Sequence, residues 1–324
     1  MKKVVTLFVC LCALTAYAAD VADVVGRYAG GRGGGLTPIT ITYQSYNPAD
    51  GQNDLTQNID YYLPNSSKFG NGPYPVFMYI PATYEPYNSP LSLIFINQML
   101  ARGFMSASVQ YMNTESQQNC TEYTARAQGI FDATRATSAV GALCSISKAN
   151  CSKGIVDTGI SQGAELVILS ANYAPQVKAV FALSGGDNFI NVAPLPGTLP
   201  CEDKANTRIP SNRLTLIDGQ SDPYFGGQSN VQGPTGLTCA PGTFQCWSPD
   251  GSGAGWYIVQ NSQNLVNMAG HCYFFDGNPP SPYACTGTPD PSWFTPATNN
   301  WSLAPNMDWL ASFGTHRNFS PNGQ

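Results

Sequence analysis

Gly154-Ile155-Val156-Asp157-Thr158-Gly159-Ile160-Ser161-Gln162-Gly163-Ala164-Glu165-Leu166-Val167-Ile168-Leu169-Ser170-Ala171-Asn172-Tyr173-Ala174 is the stretch on which the fold turns. Ile155 and Val156 open a short apolar strand. Ala164, Leu166, Val167, Leu169 and Ala171 then build a helix. Between them Gly159-Ile160-Ser161-Gln162-Gly163 matches G-x-S-x-G, a sharp strand-to-helix turn. Such a turn strains the backbone at its serine, and flanking glycines remove side chains that would clash there. It also lifts the serine hydroxyl above the strand ends, at the positive end of the following helix. That is a position for a nucleophile. The string itself is short; the strand before it and the helix after it supply the context.

Outward from this turn the chain alternates. Upstream, strands are expected at Ile39 to Tyr43, Ile59 to Leu63, Tyr74 to Ile80 and Phe104 to Tyr111, with Asn/Gly/Pro clusters between the first three. Ser89 to Arg102 reads as a helix closed by Gly103, and Glu122 to Leu143 as one long helix. Downstream, Val177 to Leu183 and Arg213 to Ile217 read as strands. A few strands followed by strand–helix alternation predict an α/β fold, a mostly parallel central sheet with helices on both faces. Sites on such sheets lie at the carboxyl ends of the strands.

The N-terminus has the form of a secretory signal over 1–18: Lys2-Lys3, an apolar run from Val4 to Leu14, then Ala16-Tyr17-Ala18. A flexible glycine-rich lead-in follows over 19–36, and a single domain over 37–324. Its glycines lack the strand, helix and Gly-Lys-Ser/Thr of a phosphate loop. No later segment approaches the roughly 20 apolar residues of a spanning helix, so no membrane insertion is expected. With the signal removed, eight cysteines remain (120, 144, 151, 201, 239, 246, 272 and 285), an even set that suits disulfides in an exported chain. Proximity in sequence favours Cys144–Cys151 and Cys239–Cys246; Cys272 is left with Cys285, Cys239 or Cys246. With two histidines and no Cys-x-x-Cys, neither metal nor other cofactor is expected. Asn65, Asn119, Asn150, Asn300 and Asn318 are sequons, glycan acceptors if the source is eukaryotic. A net charge of −5 without any basic run argues against nucleic acid.

The element order, the turn at 159–163, and the strand of 75–81 followed by helix, Gly103 and strand resemble the α/β-hydrolase fold, over roughly Pro75 to Cys272 plus a closing helix near 306–313. Among its branches the chain is most similar to secreted esterases of the lipase, cutinase and polyester-hydrolase kind. The His-Gly-Gly loop of other esterases in the superfamily is replaced by Ile80-Pro81-Ala82-Thr83-Tyr84. The resemblance implies a nucleophile–acid–base order in the chain. Ser161 is then the nucleophile. Asp222 is the acid in Gly219-Gln220-Ser221-Asp222, with Asp218 its competitor, and His271 is the base because it precedes the closing helix. His316 lies beyond that helix. Backbone N–H groups of Gln162 and of the 82–84 loop, Thr83 before Tyr84, would hold an oxyanion.

Ser184, in Ala182-Leu183-Ser184-Gly185-Gly186, is the rival nucleophile, without a glycine two residues before it; Asp187 is expected in the cleft or at the surface. The stretch of about 224–255 is long and rich in Gly, Pro and Ser. It is expected either to form a disulfide-pinned loop over the site, with Trp247 or Trp256 facing substrate, or to pack its tryptophans into the core. Tyr84, Tyr224 and Trp256 are the candidate substrate contacts. The expected activity is a secreted serine hydrolase of carboxylic esters, with a small or polymeric ester as partner. A serine peptidase or acyltransferase on the same triad, or a catalytically silent binding protein of the same fold, are the alternatives.

Overall fold

The computed structural model describes residues 37–114, 120–189, 197–198, 201–275, 282, 285, 287–294 and 299–314. The expected signal (1–18), the lead-in (19–36), His316, and the sequons at Asn119 and Asn318 lie outside the described residues.

Nine strands form one sheet: β1 (Ile39–Asn47), β2 (Gln52–Tyr62), β3 (Val76–Ile80), β4 (Met105–Val109), β5 (Ile155–Ile160), β6 (Val177–Leu183), β9 (Leu214–Gly219), β10 (Gln245–Trp247) and β11 (Gly255–Val259). A two-stranded ribbon, β7 (Asn188–Phe189) with β8 (Gly197–Thr198), stands apart. The sheet order is β1-β2-β4-β3-β5-β6-β9-β11-β10. From β4 to β11 all pairings are parallel, while β1, β2 and β10 join antiparallel at the two sides. This is the α/β-hydrolase fold, with one extra edge strand.

The helices are α1 (Ser66–Phe69), α2 (Pro90–Leu100), α3 (Cys120–Phe131), α4 (Ala139–Cys144), α5 (Gln162–Ile168), α6 (Ser170–Tyr173), α7 (Gln228–Thr235), α8 (Pro291–Phe294) and α9 (Leu303–Ser312). None is long and apolar enough to cross a membrane among the described residues. β3, β4, β5 and β9 are buried along their whole length, because both faces of the sheet are covered there. Val76, Met78 and Ile80 of β3 enter a core shared with α3, α4 and α5. Phe77 and Tyr79, pointing the other way, enter a second core with α2 and α9.

Two expectations change. The stretch from Glu122 to Leu143 is two helices, not one. The Asp132 carboxylate takes the Thr134 N–H at 2.9 Å, and the Ser138 hydroxyl caps α4 through the Gly141 N–H at 2.9 Å. Asx turns and serine caps offer the backbone partners that compete with helix continuation. The 224–255 stretch is not a structureless lid either. It contributes α7, which packs on β9 and β11, and β10, which widens the sheet. Trp247 pairs with Gly255, the first residue of β11, so it sits at the amino end of that strand, away from the carboxyl rim.

Among the described residues four disulfides join Cys120–Cys201, Cys144–Cys151, Cys239–Cys246 and Cys272–Cys285.

Candidate active site

Ser161 follows β5 and stands at the N-cap of α5 with φ 55° and ψ −121°, a conformation that residues other than glycine seldom adopt. Its side chain makes no capping bond, so its hydroxyl is not spent on the helix. Its N–H reaches the Leu183 carbonyl of β6 at 2.9 Å. The two glycines of the turn are required by space. A Cβ at Gly159 would stand 2.2 Å from the Gly163 carbonyl oxygen, and one at Gly163 would stand 2.1 Å from the Ile80 carbonyl oxygen. The turn is thus pressed into the end of β3, beside the loop that holds Thr83.

That loop is built around Glu85. Its carboxylate takes the Ala82 N–H at 2.8 Å, the Tyr79 hydroxyl at 2.9 Å and the Ser89 hydroxyl at 2.5 Å. Burial nevertheless pushes its pKa up. Asn113 clamps the same loop by donating to the Ala82 and Glu85 carbonyls at 2.6 and 2.8 Å. The Tyr84 N–H is committed to the Asn113 carbonyl at 2.9 Å, which removes it as an oxyanion donor. The Thr83 N–H makes no hydrogen bond among the described residues. The Tyr84 ring is 71% exposed, and its residue has φ 60°.

β9 runs two residues past Ile217, to Gly219, which places Asp218 inside the strand and Asp222 in the turn beyond it. Asp218 is wholly buried and accepts the Gly185 N–H and the Asn230 amide, both at 3.0 Å. Burial first, then the charge of Asp222, drives its pKa well above the carboxylate range. Asp222 instead holds the imidazole: His271 Nδ1 lies 2.8 Å from its Oδ2. Its Oδ1 accepts the N–H groups of Tyr224 at 2.8 Å and Phe225 at 3.1 Å. Tyr224 meets the imidazole edge-on at 4.8 Å between ring centroids, and Phe225 stacks on it at 5.9 Å. His271 is 6% exposed.

The loop carrying His271 is stitched to its neighbours. Its N–H donates to the Pro282 carbonyl at 2.8 Å, and the Ser221 N–H donates to the Ala269 carbonyl at 2.8 Å. Cys272 is bonded to Cys285, which resolves the open choice of partner.

Two expectations are corrected. Trp256, expected to face substrate, is wholly buried in the core, with its indole N–H on the Leu237 carbonyl at 2.8 Å. It is the second residue of β11, facing α7 below the rim. Asp187 is 5% exposed, packed by Gly233 and Asp203 rather than open to a cleft. Ser184 is wholly buried, with its hydroxyl on the His271 carbonyl, so it has no access to a substrate. Asn113 and Asn230 carry no motif, because their partners come from distant elements.

No family model matches the sequence, and no curated protein matches it. Solved structures do. DcsB, solved with its substrate analogue, is 16% identical, with 48% of this chain and 48% of that chain covered and a TM-score of 0.35. The chain thus spans about half the length of DcsB. An acetyl xylan esterase from Aspergillus awamori is 14% identical over 69% of this chain and 92% of that one, with a TM-score of 0.43. A lipase/esterase from Lactobacillus plantarum is 14% identical over 58% and 79%, with a TM-score of 0.41.

Proposed function

We propose that this chain, an α/β-hydrolase by fold, is a secreted serine hydrolase that cleaves carboxylic esters through an acyl-enzyme. The observation that carries the reading is the buried Asp222–His271 pair at 2.8 Å, on the same sheet rim as a serine held at positive φ. In the proposed reaction Ser161 Oγ attacks the ester carbonyl while His271 Nε2 takes its proton. Asp222 fixes the proton on Nδ1 and balances the imidazolium that forms. The backbone N–H groups of Gln162 and Thr83 stabilise the oxyanion. Collapse expels the alcohol, which leaves with the proton from His271, and water then repeats the cycle on the acyl group. Tyr84 and Tyr224 are the proposed substrate contacts, an exposed ring on the oxyanion side and a ring against the base.

Export is supported by the disulfides among the described residues, since such bonds persist in oxidising compartments. In a eukaryotic secretory pathway the exposed Asn65 and Asn300 would be open to glycans, while Asn150 is half-buried with its side-chain oxygen capping the turn at Lys153.

The test is labelling with a fluorophosphonate together with hydrolysis of p-nitrophenyl butyrate. The unsubstituted chain is expected to be labelled at Ser161 and to turn over the ester. Ser161→Ala should remove the label and lower kcat on the order of 10⁵–10⁶-fold. A labelled, active Ser161→Ala chain would end the proposal.

A further inference from the structure

Ser184 is a buried hydroxyl that the proposed chemistry does not consume, in a conformation that favours glycine. Its φ is 53°, although the next two residues are glycines and a third glycine at this place would relieve the strain. A strained residue kept where glycine would be easier points to a use for its side chain. The partner of that side chain identifies the use. The Ser184 hydroxyl donates to the carbonyl of His271 itself, and the Ser184 N–H donates to the Ile217 carbonyl of β9 at 2.8 Å.

The neighbours of Ser184 make the same kind of connection. Leu183, one residue earlier, accepts the N–H of Ser161 at 2.9 Å. Gly185 donates to Asp218 at 3.0 Å and accepts from Asn230 at 3.2 Å; Asn230 also holds the Phe225 carbonyl at 2.5 Å. Gly186 donates to Glu165 of α5 at 2.7 Å. Four consecutive residues at the end of β6 therefore tie together the nucleophile turn, the acid strand, the aromatic turn under the imidazole, and the base loop. Of the ties named, the one to the base loop is made by a side chain, the Ser184 hydroxyl.

We propose that Ser184 is a positioning residue: its hydroxyl sets the height of the His271 loop against the strand end that also holds the Ser161 backbone, and so aims the imidazole at the Ser161 hydroxyl. The inference rests on the reading of Ser161 and His271 as nucleophile and base. Because Ser184 is wholly buried, its loss acts on the chemical steps that His271 serves, acylation and deacylation alike, and not on binding. Displacement of a catalytic group by about 1 Å costs on the order of 10²-fold in rate.

Ser184→Ala removes the hydroxyl and keeps the strain; Ser184→Gly removes both. Acylation of Ser161 by a fluorophosphonate and p-nitrophenyl butyrate kinetics are measured on the full chain and both variants, with near-UV circular dichroism and Tm beside them. The labelled serine is mapped by peptide mass spectrometry. The expected result is acylation and kcat slower by roughly 10- to 10²-fold in both variants, with KM within about twofold. Ser184→Gly should be at least as stable as Ser184→Ala without being faster. Three outcomes overturn the proposal: wild-type acylation in either variant, activity that recovers in Ser184→Gly along with stability, or label found on Ser184. An unsubstituted chain that takes no label at Ser161 overturns the serine-hydrolase reading itself, and this outcome is read on a different sample.

Discussion

At Gly163 a methyl group has no room. The Ile80 and Pro81 carbonyl oxygens would stand 2.1 and 2.7 Å from it, and both belong to backbone that cannot swing aside. Gly163→Ala is expected to displace the turn from β3 and with it the loop bearing Thr83. Kinetics should therefore show a large loss of kcat even if Tm falls only modestly. Asp222, the proposed acid, gives a cleaner residue-scale experiment. Asp222 is held by two N–H donors that an asparagine oxygen could still accept, so Asp222→Asn should fold normally. Its amide would then turn a donor toward Nδ1 and favour the wrong tautomer. The expected loss in kcat is roughly 10³–10⁴-fold at neutral pH with little change in Tm. A variant within tenfold of the parent would show that Asp222 does not govern the tautomer.

Elements are joined here by bonds of very different reach. Cys144–Cys151 and Cys239–Cys246 each close a separation of seven residues, and Cys272–Cys285 one of thirteen. Cys120–Cys201 closes eighty-one, tying α3 to the segment that carries Glu202. On loop-closure entropy alone, the long bridge restricts the unfolded chain by roughly 4–5 kcal/mol and each seven-residue bridge by about 2.5. Replacing Cys120 and Cys201 together by alanine should thus lower Tm more than replacing Cys144 and Cys151. A denaturation series on the two double variants reads the order directly. The Cys272–Cys285 pair belongs to a different class, since Cys272 follows His271. Its double alanine variant is expected to lose more activity than stability, as a loop freed at one anchor aims its base poorly.

The molecule as a whole carries an acidic interior. Asp157 of β5, Glu165 of α5, Glu202 and Asp187 are all buried. Burial raises Asp157 and Asp187 to about 8 and Glu165 to about 7, and lifts Glu202 well above the carboxylate range. Glu165 and Glu202 face each other, and Asp203 adds its charge to Asp187. A carboxyl whose folded pKa is raised binds its proton more tightly in the folded chain than in the unfolded one. Its contribution is complete below the unfolded value near 4 and is lost as pH rises through the folded value. The window is therefore about pH 4 to 8, and stability falls upward through it. Tm should drop by several degrees between pH 5 and pH 8. Glu202→Gln, a neutral side chain that can still donate to Glu165, should flatten that slope. An unchanged slope would mean that these carboxyls ionise without cost in the folded state.

What the residues settled without any structure is local. Gly159 to Gly163 between an apolar strand and a helix announced the turn, and alternation of strands and helices announced the parallel sheet, because both follow from contacts within a few positions of each other. The shortage of histidines left two candidates for a base, and the resemblance, not composition, preferred His271 because it precedes the closing helix. Reading failed where partners meet across the sheet. Trp256 looked like a substrate contact until its strand register put it under α7, and a long polar stretch concealed a helix and an edge strand. Whether Asp218 or Asp222 meets the imidazole depended on a strand running two residues further than its apolar pattern. The tertiary structure decided this, because a carboxylate inside a strand points into a packed layer and one in the turn beyond it can reach a loop from another strand.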